Sequence, residues 1–277
     1  MSGFSPEWLA LREPVDHRSR DAGLAARVTA RFAGRPSVTV TDLGCGSGSN
    51  LRATWALLPA DQSWTLVDYD AQLLAAARQR LLAWADSSTV AGDELALTKA
   101  GKRLRVRFRQ ADLTHDLDAA LGERPDLVTA SALFDLCSSA FIAGFASAVA
   151  ARRAAFYTVL TYDGVQTWTP PHAADAAMRE AFHAHQQTDK GFGAAAGPDA
   201  PKALAAAFKA GGYRVEEGDS PWRLGVGDAG LIRDLARGFA GAVGETGRVD
   251  APTVAAWGRI DRTGSVVGHT DTWSQPP

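Results

Sequence analysis

The sequence predicts an α/β protein built on a doubly wound, mostly parallel sheet. Two observations carry that reading. Short β-branched or apolar runs at residues 38–43, 64–67, 104–108, 126–130 and 155–160 alternate with stretches that repeat apolar residues at helical spacing. A glycine-rich turn also sits between the first run and the helix after it, where such sheets open a ligand site. Strands that alternate with helices form βαβ units, with helices on both faces of one sheet.

The elements follow in order. Residues 1–35 predict an amphipathic helical lid or extension interrupted at Pro14, anchored by Phe4, Trp8, Leu9 and Leu11 and ended by Gly34 and Pro36. Residues 36–160 form a core. Its first helix, 49–58, carries Leu51, Trp55 and Leu58 on one face; Asp70 caps the second, 71–85, striped by Leu73, Leu74, Ala77, Leu81 and Leu82. Residues 86–101 read as a polar insertion. In the third strand Arg103, Arg105, Arg107 and Arg109 alternate with Leu104, Val106 and Phe108, so one face is all charge. A central parallel strand does not tolerate that, whereas the edge strand of a 3-2-1-4-5 sheet does. A short helix separates the third and fourth strands, and another, 139–150, precedes the fifth. Residues 161–200 read as an insertion with a helix at 173–187. Residues 201–277 complete the sheet: a helix from Pro201 to Gly211-Gly212, a strand at 213–217, a helix at 228–243 and a strand at 265–273.

With 277 residues, 46% of them hydrophobic, the chain builds one substantial core. Lys plus Arg is 29 against 31 for Asp plus Glu, a net charge of −2 that gives no general attraction to nucleic acid or anionic membrane. Cys45 and Cys137 make neither a disulfide framework nor a CxxC pair. No run of about 18 apolar residues spans a membrane, and the charged N-terminus does not read as a signal peptide. The expectation is a cytoplasmic protein, monomer or homodimer, acting on a small molecule.

The glycine order Gly44, Gly46, Gly48 separates the ligands that such a turn can hold. A dinucleotide turn continues GxGxxG, but Asn50 and Leu51 stand where that pattern would go on, and no GK[ST] marks a P-loop. With Asp42 ahead of the turn, Asp42-Leu43-Gly44-Cys45-Gly46-Ser47-Gly48 resembles the first motif of the class I (Rossmann-like) S-adenosylmethionine-dependent methyltransferases. The resemblance covers residues 38–160 and implies a seven-stranded sheet of order 3-2-1-4-5-7-6. It implies a turn in which Gly44, Cys45, Gly46 and Gly48 wrap the methionine part of the cofactor, with Asp42 near its ammonium. Asp68, 20 residues beyond Gly48, accepts the ribose hydroxyls and Tyr69 packs on the adenine. Asp112 accepts the adenine amino group, the Leu113 amide supports the ring, and Ser131 borders the sulfonium.

The region after the fourth strand lacks the (N/D/S)PP(Y/F) motif of enzymes that methylate amino groups of bases; Ser131-Ala132-Leu133-Phe134 stands there instead. That turns attention to small acceptors. Asp135 is a candidate for substrate contact or proton acceptance, and His185 for general base. Phe134, Tyr162, Trp168, His172 and His183 are candidates for the substrate side, and Arg12, Arg18 and Arg20 for the cofactor carboxylate or an acidic substrate. His183 and His185 diverge by about 200° on a helix, so they predict no metal face. The expected reaction is in-line methyl transfer to an O, N, S or C nucleophile, leaving S-adenosylhomocysteine. A protein or RNA methyltransferase, or a non-catalytic binding module, is the alternative; a nicotinamide enzyme is disfavoured by the missing third glycine of its pattern.

Overall fold

The N-terminal segment folds as two capped helices in the computed structural model, which describes residues 4–277. Helix α1 (Pro6–Ser19) begins where the Ser5 hydroxyl accepts the Trp8 amide, and α2 (Ala22–Phe32) where Asp21 accepts the Leu24 amide. α1 runs through Pro14 instead of breaking there. The lost hydrogen bond is offset by burial of Val15 and Asp16, which follow Pro14 directly. Phe4 and Leu11 remain exposed; Val15, Leu24, Val28 and Phe32 anchor the segment.

The core then alternates. Strand β1 (Ser37–Leu43) leads to α3 (Ser49–Thr54), and β2 (Asp61–Asp68) to α4 (Ala71–Trp84), whose first turn is capped by Asp70 accepting the Gln72 amide. Strands β3 (Ser87–Ala91), β4 (Glu94–Lys99) and β5 (Lys102–Gln110) follow, then α5 (Leu113–Leu121), β6 (Leu127–Ser131), α6 (Ser139–Ala151) and β7 (Ala155–Thr169). Helices α7 (Asp175–Gln186) and α8 (Ala200–Ala210) precede β8 (Arg214–Asp219) and β9 (Trp222–Leu224); α9 (Ala229–Thr246), α10 (Ala251–Gly258) and β10 (Gly264–Gln275) close the chain.

The sheet order is β3-β4-β5-β2-β1-β6-β7-β10-β8, with β9 paired to β10. β5, β2, β1, β6 and β7 are parallel, and β10 is antiparallel to both of its long neighbours. The seven expected strands therefore occur in the expected 3-2-1-4-5-7-6 order, and β3, β4 and β9 make the sheet ten-stranded. Residues 86–101 are not a polar insertion: they contain the whole β3–β4 hairpin, and β4 pairs antiparallel with β5. The third strand is consequently internal to the sheet, not its edge. Its arginines are exposed all the same, because a charged face requires solvent on that face and not a missing neighbour. Arg103 pairs with Asp61 of β2 and Arg107 with Glu94 of β4, while Leu104 and Val106 point into the opposite, buried layer with Leu81, Leu95 and Leu97. The fifth strand also outruns its expected end at residue 160, continuing to Thr169 alongside β10.

Two apolar layers sandwich the sheet. One joins α1, α2, α4, α7, α9 and α10 around Trp64, Trp257 and Trp273; the other joins α5, α6 and α8 around Phe145, Phe156 and Phe208. Among the described residues no helix is long and apolar enough to cross a membrane.

The two faces of β5 make a direct test. Leu104→Ala is expected to cost about 2–5 kcal/mol of unfolding free energy in urea melts, whereas Arg105→Ala stays within about 0.5 kcal/mol. Equal costs would contradict this division of the strand.

Candidate functional site

The chain crosses over between β1 and β6, and the carboxyl ends of β1, β2 and β6 meet beside that switch point. Gly44, Gly46 and Gly48 in the turn after β1 have φ of +59°, +52° and +79°. Side chains rarely adopt that backbone, and the space beside the turn is tight as well. A Cβ on Gly44 would stand 3.1 Å from Leu133 Cδ1, and one on Gly46 3.0 Å from Leu9 Cδ1 of α1. The Cys45 amide donates to the Val67 carbonyl (3.0 Å), fastening the turn to β2.

At the end of β2, Asp68 accepts the Gly46 amide on one oxygen (2.8 Å) and the Asp70 amide on the other (3.0 Å). Burial pushes its carboxyl upward, and those two amides oppose the shift. Asp42 is wholly buried. Its Oδ1 accepts from Asn50 Nδ2 (2.7 Å), while Oδ2 has no partner. Asn50 also donates to Thr129 on β6 (3.1 Å) and accepts from Arg20 (2.9 Å). Burial raises Asp42 to about 7, against the pull of Asn50 and of the Arg20 charge. Ser47, inside the turn, has a second partnerless buried oxygen. Two unpartnered oxygens at one corner are acceptors within reach of a polar ligand there.

The other expected cofactor residues surround this corner in different roles. The Tyr69 ring is exposed beside it. Asp112 caps α5, its Oδ1 accepting from the Thr114 amide (2.9 Å) and hydroxyl (2.6 Å), which lowers its carboxyl. Leu113 is buried in the first turn of that helix. Ser131 ends β6, and Ala132 behind it is left-handed (φ +51°), which turns Leu133 back over Gly44.

A second polar cluster lies beyond the end of β6, beside the middle of β7 and under α1. Asp135 is buried with Oδ1 unpartnered. Burial raises it to about 6, with the Tyr162 backbone and the Arg12 charge pulling the other way. The Tyr162 hydroxyl is 3.1 Å from His183 Nε2, which is also 3.1 Å from the Gly164 carbonyl. His269 of β10 has its ring 5.3 Å from that of Trp222 and 6.4 Å from that of Tyr162. Its Nδ1 is unpartnered, and burial drives it down to about 3. Arg12 of α1 lies 4.9 Å over Trp222 and binds Asp16 (2.8 Å), which in turn accepts the Trp222 indole N–H (3.0 Å).

Four expected substrate or catalytic residues are placed elsewhere. Phe134 is fully buried, its ring 4.9 Å from Phe145 and 5.4 Å from Phe156, so it belongs to the core. Trp168 packs at 5.1 Å on Trp257 and 5.6 Å on Phe239, again in the core. His172 accepts the Ala174 amide through Nδ1 and shapes the entry to α7. His185 pairs with Glu245 of α9 (3.0 Å), while His183 is the histidine that meets Tyr162. The divergence of the two side chains on α7 explains the split. Arg18 binds Asp228 (2.7 Å), and Arg20 binds Asn50 and Thr54, so both are engaged within the protein. His269, Asn50 and Asp16 were not singled out in the sequence. The signal for His269 was available: a His-Thr-Asp-Thr run in a strand otherwise bounded by Val267 and Trp273. Among the described residues no group of three or more His, Cys, Asp or Glu side chains is placed to hold a metal ion.

No protein-family model matches the chain. No curated protein matches it either. Solved structures do. A cyclopropane-fatty-acyl-phospholipid synthase-like protein from Lactobacillus casei superposes with a TM-score of 0.55 at 16% identity, over 95% of this chain and 98% of its own. A cyclopropane synthase from Mycobacterium tuberculosis gives 0.53 at 10% identity, over 98% and 95%. A Bacillus halodurans protein to which methyltransferase activity is ascribed gives 0.52 at 11%, over 92% and 100%. At these identities the likeness is one of fold, and it spans nearly the whole of each chain.

The buried Asp42 makes stability depend on pH. Its carboxyl holds a proton up to about pH 7 in the folded chain against an ordinary value of 3.8, so the folded state loses stability as pH rises between those values. Asp42→Asn removes that loss. Urea melts at a series of pH values are expected to show the variant gaining on the parent from pH 4 to pH 7, then a constant difference above it. A difference that does not change with pH would contradict the assignment.

Proposed function

We propose that the chain is an S-adenosylmethionine-dependent methyltransferase acting on a small molecule. The observation that carries the reading is the Asp68 carboxylate at the end of β2, hydrogen-bonded to Gly46 inside a turn of three left-handed glycines. The residues present fit the cofactor. Each Asp68 oxygen takes one amide and keeps a further acceptor site, so the pair can receive two ribose hydroxyls. The unpartnered Asp42 Oδ2 and Ser47 Oγ suit the ammonium of the methionine part, directly or through water. Asp112 uses only Oδ1 to cap α5, leaving Oδ2 for the adenine amino group, with Leu113 and Tyr69 beside the ring. Ser131 and the Leu133 turn border the reacting end. The fold shared with the Bacillus halodurans protein supports the same reading.

When bound, the cofactor supplies a methyl group on a positively charged sulfur, open to in-line attack by an O, N, S or C nucleophile. The protein's part is to position the acceptor and exclude water. Residues 4–35 act as the lid; residues 1–3 of the expected lid lie outside the described residues. Leu9 lies over Gly46, and Glu13 of α1 binds Arg52 of α3 through both oxygens (2.8 and 2.7 Å), holding the roof on the turn. Residues 36–160 form the cofactor-binding core. Residues 161–200 and 201–277 supply the acceptor side, through Tyr162, His183 and His269.

Calorimetric titration tests this. The folded protein is expected to bind S-adenosylmethionine and S-adenosylhomocysteine, and Asp68→Ala to weaken both about 10- to 100-fold, the worth of hydrogen bonds to a charged acceptor. Folded parent protein that binds neither would overturn the proposal.

A further inference from the structure

The cluster under α1 has a chemical signature of its own. Asp135 Oδ1 and His269 Nδ1 are buried, have no partner, and come from two separate elements, the turn after β6 and strand β10. Tyr162 and Arg12 tie them to one place. The Tyr162 ring is 6.4 Å from that of His269, its backbone bonds to Asp135, and the Asp135 charge reaches its hydroxyl; the Arg12 charge acts on both Asp135 and His269. An orphaned buried carboxylate oxygen is unfavourable unless a donor arrives to meet it, and a neutral imidazole nitrogen can accept or donate beside it. The nearby cations are each bound within the protein: Arg12 by Asp16, Arg18 by Asp228, and Arg20 by Asn50 and Thr54. The Arg12 charge favours the ionised Asp135, and an incoming anion meets that carboxylate. Arg179 bonds the Gln166 carbonyl, and Asp163 adds a negative charge on the Tyr162 side.

Building on the methyltransferase reading, we infer that Asp135 and His269 form the acceptor subsite and select a neutral or amine substrate that presents an O–H or N–H, rejecting carboxylates and phosphates. Asp135 is the catalytic residue. As the nucleophile forms its bond to the methyl carbon, the carbon–sulfur bond of the methylsulfonium donor breaks and its electron pair stays on sulfur. The proton of the O–H or N–H passes to the Asp135 carboxylate and then to solvent. The elevated affinity of Asp135 for a proton and the neutral state of His269 suit those roles. His269 is a second hydrogen-bonding partner that orients the acceptor group. His183 supports Tyr162 from behind.

A matched probe set tests the subsite without knowledge of the natural substrate. Phenol, anisole and benzoate share a ring and differ in offering a donor, no donor or an anion. Binding is read from the His269 imidazole resonance in protein labelled at histidine, with and without saturating S-adenosylhomocysteine. Phenol is expected to shift that resonance and to bind at least about 10-fold more tightly than anisole or benzoate, the worth of one well-made hydrogen bond. Asp135→Asn is expected to reduce the phenol preference to below threefold while leaving the affinity for S-adenosylhomocysteine unchanged. Equal binding of anisole, tighter binding of benzoate, or no shift of His269 by any probe would overturn the inference. The two readings fail separately. Loss of S-adenosylhomocysteine binding with the phenol preference intact refutes only the cofactor assignment, and the reverse refutes only the subsite.

Discussion

The hydrogen bond from Asn50 to the buried Asp42 carboxylate closes the loop on which the site is built. The two residues flank the glycine turn, one at the end of β1 and one in the first turn of α3. Bringing them together across so few residues forces the backbone between them through left-handed conformations, which Gly44, Gly46 and Gly48 supply. The Asn50 side chain is fully committed: it donates to Asp42 and Thr129 and accepts from Arg20 and Thr54. One amide thus joins β1, α3, β6 and the junction between α1 and α2. The carboxylate at its centre is left with one free oxygen at low dielectric, which is where its high proton affinity comes from.

The N-terminal helices are fastened by polar contacts as well as by the buried Val15, Leu24, Val28 and Phe32. Glu13 reaches Arg52 and Arg80, His17 reaches Ser49, and Arg18 reaches Asp228. Toward the acceptor side the Arg12–Asp16 pair holds the Trp222 indole. Trp222 lies on β9, which pairs with β10 and brings its ring against His269. The short additional strand therefore has a positional consequence: it carries the contact between the roof and the sheet to the one histidine of β10.

Much of this architecture was legible in the chain, and the exceptions have physical causes. The five parallel strands and their helices follow from apolar periodicity, and the Asp70 cap from its place before an apolar stripe. The hairpin of β3 and β4 was hidden because Ser87, Ser88 and Thr89 of β3 are all exposed and polar, leaving only Leu95 and Leu97 as a short alternation in β4. Without that hairpin β5 would be the edge of the sheet. At the site, Asp42, the glycines and Asp68 come together as their spacing along one βαβ unit suggests. Phe134 and Trp168 look the same in sequence whether they line a pocket or fill a core; only their ring partners decide it. His269 and Asn50 were missed because contacts such as Tyr162–His269 and Asn50–Thr129 join residues that local pattern cannot relate.

Crystals grown with S-adenosylhomocysteine decide whether the glycine turn, Asp42 and Asp68 together hold an adenosyl-methionine ligand. Density is expected for the amino-acid part over Gly44–Gly48 beside Asp42, with both ribose hydroxyls on the Asp68 carboxylate and the adenine between Tyr69 and Leu113. Density for the ligand elsewhere, or a ribose that does not touch Asp68, would contradict it.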